Sequence, residues 1–232
     1  MAPHTTPRQL SEHIEQLLTP GGPLPIVTAG HPVLRGVAEP YDGQLDDALL
    51  ERFVAALRTT MLAAPGVGLA APQVGVPLSI AVVEDRARGP VEALEARGRT
   101  PLPFRVLLNP SYEPEGPEGA GRTETAAGAR ESRGGARVAF FEGCLSVPGW
   151  QAVVARHARV RLRGQDEHGQ PVDEVFTGWP ARIVQHETDH LNGTLYLDVA
   201  QPRSLSTNEA VAELWSQPTP ETAARELGFA LP

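Results

Sequence analysis

The residues best suited to chemistry are His186, Glu187 and His190, in the run Gln185-His186-Glu187-Thr188-Asp189-His190. On a helix, positions i and i+4 stand about 40° apart around the axis, so both imidazoles project from one face. That spacing suits two adjacent positions on one metal ion, with Glu187 able to reach a water on the open side. Asp189 is available to accept from a ring N–H. Two histidines leave a third ligand to find. Downstream stand the carboxylates Asp198, Glu209 and Glu213 but no histidine. Upstream stands Cys144, in Glu142-Gly143-Cys144-Leu145-Ser146. There a glycine lets the backbone approach closely, and a metal would deprotonate the thiol. In a Gly-containing turn after a strand, this lone cysteine reads as a ligand rather than a core residue.

A further stretch, Gly66-Val67-Gly68-Leu69-Ala70-Ala71-Pro72-Gln73, is built of small residues and ends in an amide. It lacks the preceding strand and third glycine of a dinucleotide loop. It reads instead as a backbone wall beside a small ligand, with the Gln73 amide pointing in.

The elements that must hold these groups can be read from periodicity. Leu45, Leu49, Phe53, Leu57 and Met61 recur every four positions, an amphipathic helix with Asp42 or Asp46 as cap and Pro65-Gly66 as stop. Leu78–Val83 and Phe104–Leu108 read as strands, the second ended by Asn109-Pro110. Val138–Phe141 reads as a strand running into the Glu142–Gly149 turn. Ala152–Leu162 and Pro171–Thr177 read as a hairpin about Gln165–Gly169. A helix opens at Thr177 or Gly178 through Pro180 and closes at Gly193, carrying the histidines. The expected fold is α+β, a single domain of short antiparallel or mixed strands around the central helix that bears His-Glu-x-x-His. Residues 1–22 read as an N-terminal extension, 23–203 as the domain and 204–232 as a helical tail with a helix over Glu209–Trp215. Within the domain, 113–137 is too poor in apolar residues to offset its ordering entropy and is expected to be a disordered insert.

Composition narrows the chemistry. The chain has 232 residues, 41% of them hydrophobic, and a net charge of −8 that argues against nucleic acid as a ligand. All its basic residues are arginine, so lysine Schiff-base and P-loop chemistry are excluded. No apolar run reaches the ~18 residues of a membrane span, and a cytoplasmic protein without membrane attachment is expected.

Taken together, Gly66–Gln73, Glu142–Ser146 and Gln185–Gly193 resemble the peptide deformylase family, whose motifs G-x-G-L-A-A-x-Q, E-G-C-L-S and Q-H-E-x-D-H-L-x-G stand here without substitution. Pro32-Val33-Leu34-Arg35 is similar to it as well, and the resemblance spans about residues 24–200. It implies that Cys144, His186 and His190 ligate one divalent ion, with Fe(II) expected and Zn, Ni or Co as alternatives. It implies hydrolysis of the formyl group from N-formylmethionyl peptides by water that the ion activates, with Glu187 moving the proton. The Gln73 amide and the Leu145 N–H would steady the oxyanion, and Gly66, Val67, Gly68 and Glu142 would line the methionine pocket, with Trp179 or Ile183 adding apolar wall. The sequence departs from the family at Gly149-Trp150-Gln151, where many bacterial relatives carry a peptide-holding arginine; Gln151 or Arg156 would have to replace it. The tail has Arg225 as its one basic residue, against docking on the ribosome through a basic C-terminal helix. Rival readings are a deacylase or metallopeptidase with another substrate, and a non-catalytic metal-binding paralogue.

Overall fold

The computed structural model describes residues 6–116 and 135–232. Along the first stretch come α1 (Pro7–Leu18), α2 (Asp47–Ala63), β1 (Gly68–Ala70), β2 (Ile80–Asp85), α3 (Val91–Ala96) and β3 (Leu102–Pro114). The second brings β4 (Arg137–Cys144), β5 (Val147–His157), β6 (Arg159–Gln165), β7 (Pro171–Thr177), α4 (Gly178–Leu191), α5 (Tyr196–Val199), β8 (Ser206–Thr207), α6 (Asn208–Leu214) and α7 (Glu221–Leu227). The strands form two antiparallel sheets, one ordered β1-β2-β3-β6-β7 and one ordered β4-β5-β8.

Strand alternation decides what covers each face. In the larger sheet Leu69, Ile80, Val82, Val106 and Leu108 point to the α1–α2 side, where they meet Ile14, Phe53, Leu57 and Met61. Their neighbours Ala70, Ala81, Val83, Leu107, Val160 and Leu162 point the other way and pack on Ala181, Ile183, Val184 and Leu191 of α4. In the smaller sheet Val153 faces the tail, with Ala223, Trp215 and Phe229. Ala152 and Val154 face Tyr196 and Cys144. Helix α4 therefore runs as a buried rod beneath the larger sheet, within reach of β5.

Several expected elements stand where periodicity put them. Asp46 caps α2, accepting from Leu49 N at 2.8 Å, and Gly193, at φ +72°, turns the chain after α4. Others need correction. Residues 152–162 are not one strand: the chain changes sheet at Ala158, whose N–H donates to Ala136 O and whose carbonyl accepts from Gly178 N. The alternation that joined Val154 to Val160 thus spans two sheets. Asn109-Pro110 does not end β3; the strand absorbs it as a register shift between Leu108 and Ser111, with Asn109 at φ +50°. The expected insert 113–137 is ordered at both ends, in β3 through Pro114 and in β4 from Arg137, while 117–134 lies outside the described residues. The N-terminal extension contains α1, capped by Thr6 and bound to the core through Leu10 and Ile14. Helices α3 and α7 carry no strong apolar period and were not legible.

Candidate metal centre

Helix α4 turns Trp179, Arg182, Ile183, His186 and Glu187 into one cleft of about 650 Å³. Their spacing i, i+3, i+4, i+7, i+8 is a single helical face. The opposite wall is the β4–β5 corner, Glu142 to Gln151, and the rim beside Glu187 is Gly66, Val67 and Gly68. Gln73, Cys144 and Leu145 line it as well, and His190 is buried one turn beyond His186. The candidate ligands, Glu187, Gln73, Leu145 and the Gly66–Gly68 stretch thus converge on this place.

Cys144 Sγ lies 3.2 Å from His190 Nε2, and the two Nε2 atoms lie 3.2 Å apart. Ligand atoms on adjacent corners of a four-coordinate ion with metal–nitrogen bonds of ~2.0–2.1 Å stand about 3.3 Å apart. The donor set therefore fits such an ion. Among the described residues this is the one His, Cys, Asp and Glu group close enough to hold one. The downstream carboxylates are elsewhere: Asp198, for example, pairs with Arg35 and accepts from Leu195 N at 2.8 Å.

His186 is oriented from behind. Its Nδ1–H donates to Glu142 Oε1 at 2.6 Å, which leaves Nε2 facing Cys144 and His190. Glu142 thereby differs from its expected place as a simple pocket wall. Although it lines the cleft, its carboxylate is 94% removed from solvent (6% exposed) and accepts from Arg156 Nη2 at 2.7 Å and Arg182 Nη1 at 2.8 Å. Burial alone would push its pKa up; the Arg156 guanidinium and His186 reverse this and hold it well below the usual carboxylate range. Asp189, which the helix alone offered as acceptor for an imidazole N–H, does not serve as one. It accepts from Arg156 Nη1 at 2.7 Å and from the Tyr112 hydroxyl at 3.0 Å, and burial together with this carboxylate pushes Tyr112 up to about 12. Arg156 is consumed by these two carboxylates and is absent from the cleft wall, so it does not replace the missing peptide-holding arginine.

Glu187 has the opposite surroundings. It is buried, its Oε2 has no hydrogen-bond partner, and burial raises its pKa to about 7. Gly68 explains how the carboxylate fits, because a Cβ at that position would collide with it. Gln73 is locked by its own chain: Oε1 accepts from Ala70 N at 2.9 Å, aiming Nε2 at Cys144 Sγ, 3.5 Å away, and Ser146 Oγ, 3.3 Å away.

Sequence reasoning missed Arg97, Arg99, Arg182 and Asn208, all of which line the cleft. Arg182 had a signal, standing four residues before His186 on the same face. Arg97 and Arg99 follow α3 and gather around the Trp179 ring at 5.1 and 5.7 Å; nothing local marks them.

The family model for polypeptide deformylase matches residues 23–205. The chain is 69% identical to peptide deformylase 1 of Streptomyces coelicolor over 223 residues, 96% of this chain and 94% of that one. It is 67% identical to peptide deformylase 3 of Streptomyces avermitilis over 225 residues, covering 97% and 92%. The crystal structure of a class I type b peptide deformylase from Acinetobacter baumannii, bound to Met-Ala-Ser, superposes with a TM-score of 0.62 at 31% identity, covering 76% of this chain and 98% of that one. With matches of this extent on both sequence and fold, the chain belongs to the polypeptide deformylase family.

Proposed function

We propose that Cys144, His186 and His190 hold the divalent ion of a peptide deformylase and that Glu187 is its proton carrier, releasing formate from N-formylmethionyl chains. The observation that carries this is the placement of a buried carboxylate with an unpartnered oxygen beside a thiol and two imidazoles in ligating reach of one another. A divalent ion there would lower the pKa of water and polarise the formyl carbonyl. Fe(II) is the ion proposed, on the family's use, since a thiolate and two imidazoles suit Zn, Ni and Co as well. A buried carboxyl with an unpartnered oxygen, its pKa raised by burial, can take a proton and give it to the leaving amine. Gln73 Nε2 and the Leu145 N–H are the donors proposed for the oxyanion. Gly66, Val67 and Gly68 form the wall proposed for the methionine side chain, together with Ile183 and Trp179, while the Glu142 backbone contributes to the same wall. The working unit is proposed as 23–203 with the tail against it, acting in the cytoplasm; no described helix is long and apolar enough to cross a membrane.

Glu187→Ala should retain one ion per chain by elemental analysis while formate release from formyl-Met-Ala-Ser falls about 100-fold or more. Loss of the ion in this variant, or undiminished turnover, would overturn the assigned role. The unsubstituted protein should leave acetyl-Met-Ala-Ser intact; its hydrolysis would favour a broader deacylase.

A further inference from the structure

On the β5 side of the cleft stand two neutral amides, Gln151 and Asn208. Gln151 Nε2 donates to Asn208 Oδ1 at 3.1 Å, and both residues line the cleft. They come from distant parts of the chain. Gln151 is on β5, directly opposite Gly143 and so one residue from Cys144 along β4. Gly143 leaves room for it, since a Cβ there would stand 3.2 Å from Gln151 Cγ. Asn208 opens α6, which is set by the pairing of β8 with β5, Trp150 opposite Thr207 and Gln151 opposite Ser206. The Thr207 side chain caps that helix, accepting from Ala210 N at 3.2 Å. Ser204 anchors the same segment, its hydroxyl accepting from Val153 N at 2.7 Å.

Resting on the deformylase reading above, we infer that the Gln151–Asn208 pair positions the substrate by binding the peptide unit that follows the second residue, so that the C-terminal tail supplies part of the substrate site. The bond between the two amides uses one donor and one acceptor and leaves the other acceptor, Gln151 Oε1, and the other donor group, Asn208 Nδ2. Exchanging O and N in both amides leaves the same complement. One acceptor beside one donor matches the N–H and C=O of a peptide unit. The reach fits as well. Gln151 lies one cross-strand step of ~5 Å and, at right angles to it, one residue of ~3.4 Å from Cys144, about 6 Å between the backbones, which is close to two residues of extended chain. Neutral amides also bind main chain without demanding a carboxylate, and so without strong dependence on salt.

The test compares formyl-Met-Ala-Ser with formyl-methioninamide, which lacks that peptide unit, on metal-loaded protein. In Asn208→Ala the ratio of kcat/KM for the tripeptide over the amide should fall about 3- to 10-fold, the worth of one neutral hydrogen bond, with the loss in KM for the tripeptide. Asn208→Asp keeps the shape, keeps the acceptor for Gln151 and suits a helix N-terminus, yet removes the donor; the ratio should fall as far. The Gln151→Ala and Asn208→Ala double variant should lose less than the sum of the single losses. An unchanged ratio, equal losses on both substrates, or restoration by Asn208→Asp would each overturn the inference.

Discussion

Glu142 governs the centre without touching the reacting atoms. It fixes the His186 ring and at the same time neutralises Arg156 and Arg182, both buried. Glu142→Gln removes the charge with little change of shape. Metal affinity should then fall about 10- to 100-fold, as for other groups that hold a ligating imidazole, and two guanidiniums lose their shared counter-charge, costing about 3–5 kcal/mol of stability. Competition with a chromophoric chelator and urea titration measure the two effects; unchanged metal affinity would refute the positioning role. The motif residues His186, Glu187 and His190 were legible because helical spacing is a local property. The partner of His186 was not. Asp189 is its neighbour along the helix, but Glu142 reaches it from another strand, and sequence shows the first kind of proximity and not the second.

Among the elements, α4 depends on one backbone junction. Gly178 has φ +62°, and a Cβ there would lie 3.1 Å from the Gly98 carbonyl carbon, while Trp179 N donates to Gly98 O at 3.2 Å. This seam presses the loop carrying Arg97 and Arg99 against the start of the helix and builds the far wall of the cleft. Gly178→Ala should destabilise the fold by at least ~1–3 kcal/mol, the cost of holding a non-glycine residue in this conformation, with the backbone clash in addition; thermal melting checks it. Pro180 and Gly193 marked the ends of α4 in the sequence, since helix ends have their own residue types. The reason for Gly178 was hidden, because it is a contact with a residue in a distant loop. The run 152–162 misled for a related reason: a change of sheet at Ala158 does not interrupt residue alternation.

For the molecule as a whole, the histidines ride on the helix beneath the larger sheet, whereas Cys144 ends a strand of the smaller one. An ion held by these three residues would tie the two sheet systems together. Ion bound only by the native state, at 100 times its dissociation constant, adds about 2.7 kcal/mol. Chelation should therefore lower Tm by about 5–10 °C for a chain of this size, and a Tm unaffected by chelator would contradict the placement of the ligands. All three candidate ligands could be picked out in the sequence, but nothing there hints that two layers meet at them. Residues 204–232 also read there as an appendage, although Phe141 and Val153 are buried against Trp215, Ala223 and Phe229; a cluster with members on two strands and two short helices leaves no periodic trace. The ligand layout also bears on how the chain matures. Cys144 ends β4 while both histidines are on α4, so neither element alone presents the full candidate donor set. Ligation by all three residues would require helix and hairpin to be docked, so tight metal binding would be coupled to completion of the fold.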